Sequence, residues 1–210
     1  MAAQEKERTI EEEVRIMDLG AENAFTITME EMDPILVAEV WRSYVRANFK
    51  SGTRLLRNDT EFISENAKVR LVTGFPVHLI AQITELGPRV DFSIWIDLQG
   101  AYLSSDAHPE QAEEVIFILR DFAVQVERIK IEERLKEEER ILAKMERQLY
   151  RLERAKQRYD HEVGTAEERR VIKMKSNIDE NTLEQEVTAK EIAAQQKIVA
   201  EIRRQLMTVN

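Results

Sequence analysis

Residues 109–207 constrain this chain more than any other stretch, because their apolar side chains repeat at helical spacing along the whole of it. From Pro109 the apolar positions are Val115, Ile118, Leu119, Phe122, Val126 and Ile129. That is a broad stripe, as expected of a helix lying on a domain core. Beyond Ile129 the stripe narrows to Leu135, Leu142, Met145, Leu149, Leu152 and Tyr159, which step by seven or by threes and fours. Such a narrow stripe, with Glu, Lys and Arg on the other faces, is a coiled-coil seam. One helix over 109–160 is therefore expected to pack on a globular domain first and then to run on as a stalk.

The stretch Asp160-His161-Glu162-Val163-Gly164 breaks the pattern. Gly164 suits the left-handed conformation that ends a helix. Thr165 and Glu168 read as a capping box, in which hydroxyl and carboxylate each satisfy a free backbone N–H. The turn is placed at 161–165 and a second helix at 166–207. Its seam is Val171, Ile178, Ile192, Val199 and Leu206 in one seven-residue register, interrupted by Gln185. At 1.5 Å per residue the two helices span roughly 78 and 63 Å. Folded back at Gly164, Ile202 meets Ile129, Ile178 meets Leu152 and Val171 meets Tyr159. Asn181, Gln185 and Thr188 fall near this seam. Polar residues there cost stability and set register, and they are candidates for the place where a second hairpin docks into a four-helix bundle.

Charge narrows the function classes. The net charge is −9, and residues 1–108 hold 11 Lys+Arg against 18 Asp+Glu, while residues 109–210 hold 20 against 22. The globular part is the acidic one, and neither half is the basic footprint of a nucleic-acid binder. There is no cysteine, which removes disulfides, thiolate catalysis and cysteine-ligated zinc. No apolar run reaches the length of a membrane span. The chain opens with the hydrophilic Gln4-Glu5-Lys6-Glu7-Arg8, so no signal peptide is visible.

Residues 1–13 read as a flexible arm and 14–108 as an α+β domain. Phe25-Thr26-Ile27-Thr28-Met29 alternates as a strand does, and Val14-Arg15-Ile16 is a candidate edge strand. Asp33-Pro34 opens a helix to about Asn48, with Asp as N-cap and Pro in the first turn. Four strands follow, at 53–57, 61–64, 77–84 and 90–98, with Asn58-Asp59 as a turn. The expected order is β-α-β-β-β-β-α, a mainly antiparallel sheet with helices on one face, TBP-like or helix-grip-like in element order.

Residues 95–109 read Trp95-Ile96-Asp97-Leu98-Gln99-Gly100-Ala101-Tyr102-Leu103-Ser104-Ser105, then His108-Pro109. This resembles the motif "vWfDLGGAfLSS…HP" of an uncharacterised family of exported Bacteroidota proteins. Trp41-Arg42-Ser43-Tyr44, Glu65-Asn66-Ala67 and Asp121-Phe122-Ala123 match as well. Gln99 replaces a glycine and Glu65 an aspartate. The resemblance implies a periplasmic or secreted protein with a charged helical hairpin after its domain, and it brings no catalytic residues. A cytoplasmic setting is the alternative.

Chemistry is sparse. His78, His108 and His161 lie on a strand, a helix start and a turn, with no metal-site spacing. Asp91, Asp97 and Glu85 suggest an acid/base pair only if they converge, and outward sheet carboxylates usually do not. Trp95 shares its strand face with Asp91, Ser93 and Asp97. It is a candidate partner anchor if that face is open, or core if the N-terminal arm or residues 66–76 cover it. The expectation is a non-enzymatic interaction or scaffold protein with no cofactor. Its partner is a protein or a second copy, engaged through the hairpin, with no nucleic acid and no membrane span. The alternative is a module binding a small apolar ligand or peptide between the sheet and the helix.

Overall fold

A computed structural model describes residues 9–56, 60–164 and 167–209. Asn58-Asp59 and Thr165 therefore lie outside the described residues. The elements run β1 (Ile10–Met17), β2 (Gly20–Glu30), α1 (Pro34–Phe49), β3 (Arg54–Leu55), β4 (Glu61–Ala67), β5 (Val77–Leu86), β6 (Arg89–Asp97), α2 (Pro109–Val163) and α3 (Glu168–Thr208). The chain is α+β, with one antiparallel six-stranded sheet in the order β1-β2-β6-β5-β4-β3. It divides into two compact units, residues 1–128 and 129–210, so the first turns of α2 belong with the sheet.

Local chemistry explains the boundaries. Asp33 caps α1 by accepting the Ile35 amide at 2.8 Å, and Pro34 follows where its missing N–H costs nothing. The β5–β6 turn places Gly87 at φ +67°, a conformation that favours glycine. β1 begins at Ile10, inside the stretch expected to be an arm. It is an edge strand whose Glu11, Glu12 and Glu13 stand in water or half in it, so burial imposes little alternation on it. α2 continues past residue 160 to Val163, and α3 starts after Glu167, which makes no side-chain cap. The capping box expected from Thr165 and the side chain of Glu168 lies outside the described residues.

The core of the first unit lies between one sheet face and the helices. β2 gives Phe25, Ile27 and Met29, β5 gives Leu79 and Ala81, and β6 gives Val90, Phe92, Ile94 and Ile96, all buried. Antiparallel register puts Phe25 and Ala81 on either side of Ile94. From the helices come Val37, Trp41 and Val45 of α1 and Val115, Leu119, Phe122 and Val126 of α2, buried as well. The Phe122 ring lies 4.5 Å from Phe92 and 5.2 Å from Trp41, and Trp41 lies 5.0 Å from Phe92. Tyr44 closes the edge of this cluster and donates its hydroxyl to Asp121 Oδ2 at 2.7 Å. Burial, and then the Asp121 carboxylate, hold the phenol protonated well above its ordinary titration range.

The opposite face carries a second, smaller core. Met17, Ala24, Ile80 and Trp95 pack together there, with Ile63 and Tyr102 beside them. Trp95 is fully buried, and its indole N–H donates to the Glu22 carbonyl at 3.1 Å. The cover comes from the β1–β2 hairpin. The Asp18 amide at its tip donates to both carboxylate oxygens of Glu61 on β4, at 3.2 and 3.1 Å, although β2, β6 and β5 lie between β1 and β4 in the sheet. The hairpin tip therefore arches over this face. Arg15 reaches across it to Ser93 Oγ at 3.0 Å and Asp91 Oδ2 at 3.4 Å. Trp95 as an exposed anchor is corrected: it is core, covered by a segment that includes Met17.

Two outcomes follow from these packings. Trp95→Ala removes a buried indole and should cost about 3–5 kcal/mol in urea unfolding; a loss below about 0.5 kcal/mol, the range of surface substitutions, would place the indole outside the core. The raised Tyr44 pKa means that the fold prefers the neutral phenol. Its contribution is complete below the unfolded value, about 10, and declines as pH rises above it. Tyr44→Phe should therefore flatten the alkaline fall of stability measured by denaturant melts, and an unchanged alkaline limb would contradict the assignment.

Candidate functional site

Among the described residues of the first unit, Asp91, Asp97, His78 and His108 stand apart. Asp91 accepts Thr28 Oγ1 at 2.8 Å and lies near Arg15, while Asp97, six residues along the same strand, accepts the Gln99 amide at 2.7 Å. At about 3.3 Å per residue the two carboxylates stand roughly 20 Å apart, so they form no acid/base pair. His78 Nδ1 faces the Asn66 amide at 3.4 Å. His108 Nδ1 is buried with no hydrogen-bond partner among the described residues. No group of three or more His, Cys, Asp or Glu that would hold a metal ion occurs among the described residues. No described helix is long and apolar enough to cross a membrane.

The second unit is where polar groups sit in unusual places. On α3 the inward positions recur every seven residues in two columns. One column holds Val171, Ile178, Gln185, Ile192, Val199 and Leu206, all half-buried or buried. The other holds Met174, Asn181, Thr188, Gln195 and Ile202, of which the last four are buried. On α2 the expected seam positions Leu135, Leu142, Met145, Leu149, Leu152 and Tyr159 are all half-buried, and their neighbours are mostly exposed.

Side-chain bonds join the two helices. Gln195 Nε2 donates to the Glu138 carboxylate at 2.6 Å and to the Glu138 carbonyl at 3.2 Å. Arg203 pairs with Glu139 at 2.6 Å. Folding at Gly164 would set Gln195 opposite Leu135, so the observed partner lies three residues further along α2.

Of the residues singled out in the sequence, Asn181 and Thr188 are buried within the single chain rather than offered outward. Gln185 is half-buried and donates to Asn181 Oδ1 at 2.7 Å. Trp95 belongs to the other unit and plays no part here. Gln195 was missed, although it lies seven residues beyond Thr188 and fourteen beyond Asn181 in the same column. No family model matches the chain, and no curated protein and no solved structure matches it either.

Gln195 and Glu138 are the pair on which this geometry is checked. Gln195→Leu leaves the Glu138 carboxylate without its side-chain donor and should destabilise the chain. Glu138→Leu combined with Gln195→Leu should recover the loss, because an apolar pair needs no donor. A double-mutant cycle read by thermal melts should give a coupling of about 1 kcal/mol, and additivity within error would show that the two side chains do not meet.

Proposed function

We propose that this chain is a non-enzymatic interaction protein in which the α+β unit is joined to an antiparallel two-helix coiled coil. The coil offers its outer faces to a protein partner, or to a second copy in a four-helix assembly. The observation that carries this reading is the double column of inward side chains on α3, met from α2 by Glu138 and Glu139. A seven-residue repeat held over a whole helix is the requirement of helix pairing. In this reading Gln195 fixes register, since sliding one helix past the other would leave its buried amide without the Glu138 partner, and Asn181 and Thr188 continue the same column.

The helix-grip-like arrangement is part of the same proposal, supported by α1 and the first turns of α2 contributing Trp41 and Phe122 to one sheet face. The motif at residues 95–109 supports an exported setting and membership of the family it resembles. A ligand groove between sheet and helix finds less support. Phe92, Ile94, Leu79 and Trp41, which would line it, are each buried to within 2 % of full, and the rings fill the space between them. Neither nucleic-acid binding nor catalysis enters the proposal.

The test uses the position of the two tryptophans, Trp41 and Trp95, both in the first unit. Leu142→Ser with Leu149→Ser should lower far-ultraviolet helicity and the melting temperature of the long helices, at about 2–5 kcal/mol for each fully buried leucine and less for half-buried ones. Tryptophan fluorescence should report an intact sheet unit throughout. Unchanged helicity and an unchanged melting profile would contradict the helix pairing.

A further inference from the structure

One face of α2 in the second unit is lined by basic side chains over residues 140–161. Arg140, Lys144, Arg147, Arg151, Arg154, Arg158 and His161 step by alternating fours and threes, and all seven are exposed. At 3.6 residues per turn that spacing stacks them in one column, and at 1.5 Å per residue the column is about 32 Å long. The acids of the same segment, Glu139, Glu146, Glu153 and Asp160, form a separate column seven residues apart. Glu139 is spent on Arg203 of α3.

A solvated helix face normally interleaves acids with bases, because opposite charges three or four residues apart stabilise it and like charges destabilise it. Here every neighbouring pair in the column from Arg140 to Arg158 is like-charged. Among the described residues only Arg140 pairs with a carboxylate, Glu137 at 2.7 Å; Arg147 bonds the Ala143 carbonyl at 3.1 Å. Arg151, Arg154 and Arg158 have no hydrogen-bond or ion-pair partner among the described residues. They line an open groove with Tyr150, Gln157, His161 and Glu162, whose carboxylate lies four residues beyond Arg158 and ends the basic column. Five of the six permanent cations are arginine, whose planar fork matches phosphate oxygens two at a time.

We propose that this column docks the protein on an anionic membrane surface by engaging lipid phosphates. It rests on the reading of α2 and α3 as an interaction element. An anionic layer offers phosphates along the whole length of such a column, whereas those of a nucleic-acid duplex lie on two strands that wind away from it. No aliphatic residue on this face is exposed for insertion, and Tyr150, at 61 % exposure, is the one large apolar side chain beside it. Binding is therefore electrostatic and falls as salt shortens the screening length. The net charge of −9 hides this feature, since the acids are concentrated elsewhere in the chain.

The experiment is co-sedimentation of the full chain with phosphatidylglycerol–phosphatidylcholine vesicles and with phosphatidylcholine vesicles alone. The wild type should bind only the anionic vesicles and should be released by raised salt. Each basic side chain at such a surface contributes about fivefold in partitioning. Arg151→Gln with Arg154→Gln should thus lose about 25-fold, with far-ultraviolet helicity retained or raised. Lys190→Gln with Lys197→Gln removes the same charge from α3 and should bind within about twofold of wild type, as these side chains lie off the column. Equal binding to neutral vesicles, equal losses in the two variants, or release by duplex DNA at matched phosphate concentration would each overturn the proposal. Retained helicity in a non-binding wild type would sink the membrane surface alone and leave the helix pairing standing.

Discussion

Phe122 is the side chain on which the core of the first unit depends. Its ring fills the space between Phe92 of the sheet and Trp41 of α1, and all three are fully buried. Aromatic rings in edge-on contact add to the burial energy of each. Because Phe122 belongs to a helix of 55 residues, this contact fixes where that helix starts on the sheet and how it is rotated about its axis there. Tyr44 and Asp121 reinforce the rotation with a buried-edge hydrogen bond. The charged remainder of α2 has no comparable core of its own, so its helical state relies on continuity with this anchored turn and on what it meets from α3.

The sheet is unusual in having work for both faces. One face supports the helices. The other is closed by a hairpin from its own edge, held by the Trp95 indole, by Met17 and by the Glu61 carboxylate that receives the Asp18 amide. Carboxylate acceptance of a backbone amide at a buried position is a strong local constraint, since removing either group leaves the other unpaired. The hairpin thereby converts an open sheet face into a second core and leaves Val14, Ile16 and Leu19 on its outer side.

Much of this was legible in the sequence, for identifiable reasons. The strand at 89–97 announced itself because Val90, Phe92, Ile94 and Ile96 must alternate to reach one core. Asp33-Pro34 marked α1 because cap and proline act locally. β1 was only half visible: Glu11, Glu12 and Glu13 occupy an edge strand that water tolerates, so no period of two is imposed. The sequence leaves Trp95 open between anchor and core because its cover comes from the segment around Met17, far away in sequence, and alternation alone says nothing about what lies over a face. Gln195 and the arginine column were hidden for the opposite reason. Both are periodic, but counting charges over a segment averages a column away, and only placing residues on the helix surface brings it back.

The central proposal is that α2 and α3 pair antiparallel with Glu138 facing Gln195. The chain has no cysteine, so two can be introduced without competitors. In the proposed register Met145 faces Thr188, seven residues from the observed bond on both helices. Met145→Cys with Thr188→Cys, treated at high dilution with a short bismaleimide, should form an intramolecular cross-link in monomeric protein. Met145→Cys with Leu206→Cys, about 27 Å out of register at 1.5 Å per residue, should not. Cross-linking of the second pair, or none within the monomer for the first, would contradict the pairing.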